Sequence, residues 1–308
     1  MRNDRAISSV ADVSLAIVII IASLAVFAAF LTSDESVHDP TTPAQTTDTL
    51  GAATFNVTYS LADVLETDSE YIDPVEAYGD DLNRSTHGTA LAHLARGALA
   101  NATVERDGQS VRPFSVGPAY ADTVEKRLQT ALVSSQYETS VTARWEPFEG
   151  ASLFGAVQFG PTPPPESERT LIRTTVASEL PAARENALAA TQNGTAGYGA
   201  VADAVAAAIV NGTFADAQRE IESGGVEHAV TLSRYLRFAD AVGTDRSYST
   251  VTPSLDRSHI DTDAMNAQLV AQLAEQFEPE LEAFDTPTDA AAAVSTGEIT
   301  LSITTWDR

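Results

Sequence analysis

The sequence predicts an α+β protein: an N-terminal transmembrane helix followed by an extracytoplasmic domain with a mostly antiparallel sheet and several packed helices. Three observations support this prediction. A long apolar run without charge lies near the N-terminus. Segments that alternate apolar and polar residues, as half-buried strands do, occur first, centrally and last in the remaining chain. A block with helical periodicity lies between the central and the last strands, an order typical of α+β domains.

The apolar run Val13–Leu31 has 19 residues and no charge. As a helix it spans about 28 Å, close to the hydrocarbon thickness of a bilayer. Arg2 and Arg5 precede it and Asp34 and Glu35 follow it, so the positive-inside rule places the N-terminus in the cytoplasm and the rest of the chain outside. A cleaved signal peptide, whose apolar region is shorter, and a buried core helix are the alternatives. We predict a single-pass protein that contacts the lipid bilayer through this run.

The four residues Arg5-Ala6-Ile7-Ser8 precede the apolar run and resemble the archaeal prepilin signal. In that family a membrane peptidase cleaves on the cytoplasmic side of the apolar segment, which stays on the mature protein and can pack into a filament core. The resemblance implies cleavage after Ala6, with Ile7 as the first mature residue. Many pilins carry an acid at mature position five, whereas Asp12 would be the sixth. An uncleaved anchor is the alternative.

Residues 32–50 are rich in Thr, Asp and Pro and have almost no apolar content. Such a segment cannot bury enough surface to fold, so we predict an extended stalk that is a candidate for O-glycosylation. The predicted organisation is a cytoplasmic N-terminus over 1–12, a transmembrane helix over 13–31, the stalk over 32–50 and one extracytoplasmic domain over 51–308.

Residue periodicity predicts the elements of this domain in order. Strands are predicted at 54–61, 140–146, 152–159, 170–176 and 298–308. Helices are predicted at 86–101, 120–134, 181–192, 198–210, 214–222, 226–242, 262–284 and 289–295. Ser85 or Thr86 is the expected cap of the first helix, and Pro181 is expected in the first turn of another. The last strand must pair across a long sequence separation, which favours one domain.

The chain is strongly acidic, with 43 Asp and Glu against 18 Lys and Arg, a formal net charge of −25. Lys126 is the only lysine. A surface of this sign repels phosphate, so we expect no nucleic-acid partner. The acidity fits either cationic partners or adaptation to molar salt, and the even spread of the acidic residues favours adaptation to salt. The composition resembles that of haloarchaeal proteins.

The absence of cysteine excludes disulfides, thiolate catalysis and cysteine-bound metals.

Five sequons of the form N-x-[ST] follow the apolar run, more than chance predicts. Their asparagines are Asn56, Asn83, Asn101, Asn193 and Asn211. All five lie on the side predicted to be outside, so they support the topology independently of hydropathy. Glycosylation at these positions would keep them at the surface.

No pattern of catalytic or metal-binding residues is visible. The histidines His38, His87, His93, His228 and His259 lack metal-site spacing. Acidic pairs such as Asp80-Asp81 and Asp261 with Asp263 are not set in a calcium loop. Trp145 and Trp306 fit sheet packing better than a sugar-binding face. The sequence therefore predicts no catalytic residue, no metal and no cofactor.

Further segments carry a resemblance that covers most of the chain. They are Val10–Leu15, Thr86-His87-Gly88-Thr89, Ala143-Arg144-Trp145-Glu146-Pro147, Gly160-Pro161-Thr162-Pro163-Pro164-Pro165 and Thr305-Trp306. Together they resemble an uncharacterised haloarchaeal family of single-pass, pilin-like surface proteins associated with type IV pilus machinery. The resemblance implies a pilin-like context and supplies no activity.

We therefore expect a non-enzymatic, membrane-anchored cell-surface glycoprotein, a minor pilin-like or pilus-associated component with other pilin-like subunits as partners. No small-molecule ligand is inferred. A membrane-anchored extracellular binding protein for a solute or surface partner is the alternative, and an anchored hydrolase is a further one. A deep, polar-lined pocket would favour the binding protein.

Overall fold

The computed structural model describes residues 42–66, 78–106, 109–114, 118–132, 137–165, 167–192, 197–243 and 261–307. The chain divides into two units, Met1–Thr41 and Thr42–Arg308. The first unit contains the predicted membrane helix and the motif at Arg5–Ser8, and it lies outside the described residues. The second is one compact α+β unit, so the mixed helical and antiparallel part of the predicted fold class is confirmed.

The elements of the second unit follow one another in a mixed order. The helices are α1 Thr42–Ala52, α2 Ala62–Glu66, α3 Ala90–Ala100, α4 Pro118–Leu132, α5 Arg184–Thr191, α6 Tyr198–Thr213, α7 Ala217–Ser223, α8 Gly225–Val242, α9 Thr262–Leu281 and α10 Pro287–Ala293. The strands are β1 Thr54–Ser60, β2 Asn83–Thr89, β3 Val104–Arg106, β4 Gln109–Val111, β5 Tyr137–Trp145, β6 Gly155–Phe159, β7 Arg169–Ala177 and β8 Glu298–Asp307. A short 3₁₀ helix, Gly79–Leu82, precedes β2.

The main sheet has four antiparallel strands in the order β6-β5-β8-β7. The last strand of the chain, β8, therefore lies between two strands that precede the helical block. Ile303 pairs with Val141 on one side and with Ile172 on the other. Period-two alternation explains this pairing, because Ile299, Leu301 and Ile303 are all buried on one face of the sheet. The predicted long-range pairing of the closing strand is confirmed.

Helix α3 packs against the buried face of this sheet at an unusually close approach. A Cβ atom at Gly155 of β6 would lie 2.1 Å from the carbonyl oxygen of Ala98 in α3. At Gly97 the same interface is roomier, since a Cβ there would lie 3.7 Å from Val157. Glycine at 155 is thus required by the contact between helix and strand.

The second half of the unit is a helical layer whose centre is α6 against α9. Val201, Val205 and Ile209 of α6 are fully buried. Aromatic rings fill the surrounding space: Phe214 stacks on Tyr235 with centroids 3.8 Å apart. Helical spacing of these apolar residues explains why α6 to α9 were predictable.

A buried hub at Thr296 ties this layer to the sheet. The backbone oxygen of Thr296 accepts hydrogen bonds from the indole of Trp145 at 2.9 Å and from the hydroxyl of Ser178 at 2.7 Å. Its own hydroxyl accepts from the amide of Ala183 at 3.0 Å and donates to the carbonyl of Pro181 at 2.8 Å. Two segments distant in sequence, at Trp145 and at residues 178–183, are thereby held at the start of β8, and their buried polar groups are satisfied.

Several sequence predictions are wrong in detail. The extended stalk over 32–50 is wrong for its second half, because Thr42–Ala52 is helical and Leu50 is buried. The folded unit therefore begins at Thr42, and not at 51. The periodicity of α1 is weak, and Thr and Pro enrichment concealed a helix that tertiary packing stabilises.

The predicted helix starts at 86 and 181 are also wrong. Residues Asn83–Thr89 form β2, and the hydroxyl of Thr89 caps α3 by accepting from the amide of Ala92 at 3.1 Å. Neither Ser85 nor Thr86 is therefore the cap. Pro181 lies before α5, which begins at Arg184. Residues 83–89 pair with β1 instead of joining the helix, and before α5 the Pro181 carbonyl and the Ala183 amide hydrogen-bond to Thr296.

One stretch of the described residues, Tyr198–Ser223, is long and apolar enough to cross a membrane, since an 18-residue window within it has a mean hydropathy of 1.3. Length and composition are its only resemblance to a membrane span. Its residues Val201, Val205 and Ile209 are fully buried in the unit, and it carries Asp203, Arg219 and other charges. These properties are those of a core helix of a folded domain.

Candidate functional site

A cavity of about 330 Å³ opens where the small sheet β1–β2, helix α3 and the helical layer meet. Its polar wall consists of Arg84, Arg96 and Arg234, with Tyr59 and Glu179. These residues come from five places in the chain: β2, α3, α8, β1 and the turn after β7. Tyr59 and Arg84 are direct partners across the β1–β2 pair, which places both side chains on the same face.

The guanidinium of Arg96 is held on two sides. Its Nε donates to Glu179 Oε2 at 3.2 Å, its Nη2 donates to Glu179 Oε1, and its Nη1 donates to the hydroxyl of Thr86. This two-point pairing with a carboxylate fixes the plane of the guanidinium. Glu179 itself has φ 71°, a left-handed conformation that is uncommon for residues other than glycine and clusters at functional sites.

The other two arginines are paired with glutamates that do not line the cavity. Arg84 Nη2 donates to Glu227 Oε1 at 2.7 Å. Arg234 Nη1 donates to Glu220 Oε2 at 3.4 Å, and its Nη2 donates to the carbonyl of Thr213. Each of the three arginine side chains is about a quarter exposed. The glutamates orient the guanidinium groups and leave them partly accessible.

Burial raises the pKa of the Tyr59 hydroxyl, although the nearby guanidinium groups of Arg96, Arg84 and Arg234 oppose this change. Tyr59 is therefore a neutral hydroxyl at physiological pH and can donate a hydrogen bond. The rest of the lining is largely apolar and includes Leu61, Leu99, Phe114 and Val230. The cavity thus combines a cationic wall with an apolar one.

A second surface with a distinctive composition is the outward face of the main sheet, which we call the open face. Its residues are Thr142 and Arg144 of β5, Phe154 next to β6, Ala156 and Gln158 of β6, Leu171, Arg173 and Thr175 of β7, and Thr300, Ser302 and Thr304 of β8. Acidic residues flank this surface: by the same alternation Glu138 of β5 and Glu298 of β8 lie at its two ends, and Glu146 pairs with Arg144 at 2.6 Å. Phe154 and Leu171 are exposed by 38% and 48%, and the guanidinium of Arg144 lies 4.8 Å from the Phe154 ring centroid.

The predicted glycosylation sites that the structure describes are distributed over four elements. Asn56 and Asn83 lie exposed on the outer face of the β1–β2 pair, where the Thr58 hydroxyl of the first sequon donates to Ser85 of the second at 3.3 Å. Asn101 is half-buried at the end of α3, and Asn211 is exposed in α6. Asn193 lies outside the described residues. Whether any of them is modified stays a prediction.

In the described part of the chain the histidines and acidic residues are not grouped into an arrangement typical of a catalytic site. His93 hydrogen-bonds to the Tyr120 hydroxyl and the Phe55 carbonyl, and His87 to the Asn56 side chain. Among these residues no group of three or more His, Asp or Glu side chains is placed to hold a metal ion. Trp145 and Trp306 are both buried, which agrees with the prediction that they pack in the fold.

No pattern in the sequence predicted the cavity. Arg84, Arg96 and Arg234 are separated by up to 150 positions (234 − 84), and no local pattern marks them. Their only signal is scarcity, since basic residues are few in this chain.

Comparison with known proteins identifies the family. A family model matches residues 11–306, nearly the whole chain. The chain belongs to DUF7284, a family of unknown function. The DUF7284 match includes the apolar run Val13–Leu31 as well as the folded unit. No curated protein and no solved structure shows significant similarity to the chain.

Proposed function

We propose that the protein is a non-enzymatic, membrane-anchored component of the cell surface that assembles with further pilin-like subunits. In this proposal Val13–Leu31 is the anchor and the unit from Thr42 onward is the external head. The extent of the DUF7284 match supports a role for the anchor, because the family has this segment in common and does not begin after it. The length of the segment and its flanking charges support the same topology.

The observation that carries the assembly role is the open face. Arg144 and Arg173 lie there beside exposed Phe154 and Leu171 in a chain of net charge −25, and the acidic residues of this face, Glu138 and Glu298, are at its ends. Exposed apolar residues with complementary charge around them are typical of interaction sites. β7 is also an edge strand of the described sheet, with Leu171 at its outward face. The surface therefore fits an acidic partner.

The partner that we propose is a second copy of the chain. The C-terminal end of α9 and the residues after it present Glu275, Glu278, Glu282 and Asp285 at the surface, and α9 contains no basic residue. Contact between the open face of one copy and this acidic end of the next is head-to-tail. Such contacts leave a free face at each end and generate open linear assemblies, as the pilin-like interpretation requires.

The test is site-specific photo-crosslinking of the full chain in host membranes, with the crosslinker at position 171. We expect an adduct that contains a peptide from the α9 region of a second copy. Arg173→Glu should lower the adduct yield by about fivefold through like-charge contact. Combining it with Glu282→Arg in the same chain should restore much of the yield, because the swapped charges attract again.

The matched control is Arg219→Glu on α7, whose side chain is 74% exposed and far in sequence from the open face; it should leave the yield unchanged. Equal yields from Arg173→Glu and the parent chain would overturn the assembly surface.

Mass spectrometry of the same membrane preparation gives the mature N-terminus. A start at Ile7 supports prepilin-type processing, an intact start leaves a plain anchor, and a start beyond Leu31 contradicts the membrane anchor.

A second candidate function is a membrane-anchored extracellular binding protein. The cavity at Arg84, Arg96 and Arg234 favours it, because a concave site with a few convergent polar groups in a mainly apolar lining is the usual form of a ligand site. The two functions are compatible, since the cavity and the open face have no residue in common.

A further inference from the structure

The cavity concentrates positive charge in a protein that is otherwise strongly acidic. Arg84, Arg96 and Arg234 are three of 18 basic residues in 308, and they reach one space from β2, α3 and α8. Bringing like charges together is unfavourable unless negative charge compensates. Glu227 and Glu220 compensate from positions that do not line the cavity, and Glu179 is the one paired carboxylate that does, so the space itself keeps an excess of cationic groups for an anion.

The guanidinium groups are oriented before any ligand arrives. Arg96 is fixed by Thr86 and Glu179, and Arg234 by Glu220 and the Thr213 carbonyl, with its guanidinium 5.6 Å from the Phe214 ring centroid. Groups that are already ordered lose little conformational entropy on binding. Guanidinium pairs the oxygens of carboxylate and phosphate in a planar geometry, so the cationic wall is built for an oxyanion.

The remaining walls limit what can carry that oxyanion. Leu61, Leu99, Phe114 and Val230 offer apolar contact in the rest of the lining. The volume of about 330 Å³ is at the lower end of the range for small-molecule sites. A free inorganic ion would leave this apolar surface uncovered, whereas a compact organic anion would cover it.

We propose that the cavity binds a small organic oxyanion, a carboxylate or phosphate monoester with a compact apolar body. Arg84, Arg96 and Arg234 take the oxyanion, and the Tyr59 hydroxyl donates a further hydrogen bond. The apolar body lies against Leu99, Phe114 and Val230. This inference gives a ligand class to the second candidate function and does not depend on the assembly proposed from the open face.

Glu179 has a distinct role in this proposal. It lines the cavity and its carboxylate occupies the guanidinium of Arg96, so an arriving oxyanion competes with it. Its side chain is 55% exposed and can swing into solvent when the ligand binds. Glu179 therefore lowers the affinity, and its removal should strengthen binding.

The test is isothermal titration of the purified full chain in detergent with four probes: benzoate, phenyl phosphate, inorganic phosphate and the neutral benzyl alcohol. We expect benzoate or phenyl phosphate to bind, more weakly at higher salt because the interaction is partly ionic. Binding of benzoate alone or of phenyl phosphate alone identifies which oxyanion the site prefers. Equal binding of benzyl alcohol, or inorganic phosphate as tight as phenyl phosphate, would overturn the ligand class, as would no binding of any probe up to about 10 mM.

Variants separate a binding site from a structural cluster. Arg84→Gln should weaken binding of the better probe by at least about tenfold, since a charge-assisted hydrogen bond is lost. Glu179→Gln should tighten it by about threefold through the loss of the competing charge. Arg219→Gln, outside the cavity, should leave affinity unchanged. If the cluster had only a structural role, Glu179→Gln would bind the probe more weakly than the parent chain or not at all. That result would overturn the role of Glu179. Thermal melts of each variant exclude loss of folding as the cause.

Discussion

His93 is the buried residue with the most constrained chemistry. Its ring is fully buried and stacks on Phe55 with centroids 4.6 Å apart. Nε2 lies 3.0 Å from the Phe55 carbonyl oxygen, which can only accept, so Nε2 carries the proton in the neutral ring. Nδ1, 3.0 Å from the Tyr120 hydroxyl, accepts from it. Burial raises the pKa of Tyr120 to about 12, which keeps this hydroxyl protonated as the donor.

Stability should fall on acidification partly because of His93. Burial lowers its pKa below the ordinary 6.5, so the unfolded chain takes up the proton first as the pH falls. The contribution of the neutral ring is complete above about pH 6.5 and is lost as the pH falls through the lower pKa of the folded state, by at most about 1.4 kcal/mol per pH unit. Urea unfolding at pH 7, 6 and 5 should show this slope reduced in His93→Gln.

The exposed His87 provides the comparison: it affects the pKa of His93 only through its charge, after burial and other causes, so His87→Gln should change the slope far less than His93→Gln. Identical slopes in the parent and in His93→Gln would show that the acid sensitivity arises elsewhere, for example in the many carboxylates.

At the scale of elements, strands and helices with strong periodicity were predictable and those fixed by partners were not. β8 was predicted because Ile299, Leu301 and Ile303 alternate over its length. β2, in contrast, has the sequence NRSTHGT with no apolar side chain, and it is a strand only because β1 pairs with it. α1 is likewise helical where Thr and Pro content predicts a stalk. Context overrides local preference most readily in short polar segments.

The contact between α3 and β6 should be the element interface least tolerant of added volume. Gly155→Ala places a methyl group 2.1 Å from the Ala98 carbonyl oxygen, and neither backbone can move without disturbing the sheet. We expect a loss of unfolding free energy of about 3 kcal/mol, at the upper end for overpacking. Urea denaturation monitored by circular dichroism gives the value.

Gly97→Ala is the matched control at the same interface. Its Cβ meets Val157 at an ordinary 3.7 Å, and alanine is the better helix former by roughly 1 kcal/mol. Gly97→Ala should therefore be neutral or stabilising. A similar loss in both variants would mean that the interface responds to any added methyl group and that the close approach at Gly155 is not the cause.

At the scale of the whole molecule, the cavity and the open face differ in charge from the acidic remainder of the protein. Composition alone predicted an acidic surface, and nothing in the order of residues showed that Arg84, Arg96 and Arg234 converge or that basic and exposed apolar residues lie together on the open face. Both features arise from topology, which brings together residues separated by up to 150 positions (234 − 84). The sequence could thus predict that the electrostatic potential of the protein is negative on average. It could not predict the cavity and the open face, which depart from that average.

That average field gives a prediction for the whole molecule. With a net charge of −25, mutual repulsion destabilises the compact state, and salt screens it as the Debye length falls from about 10 Å at 0.1 M to about 3 Å at 1 M. If the acidity is an adaptation to salt, the melting temperature of the full chain in detergent should rise steeply with KCl from about 0.1 to 1 M and continue to rise toward 3 M. Sucrose at matched water activity is the control, because it stabilises folded proteins without screening charge. A melting temperature that rises equally in sucrose, or stays flat in KCl, would remove the salt-adaptation explanation and leave cationic partners as the reason for the acidic surface.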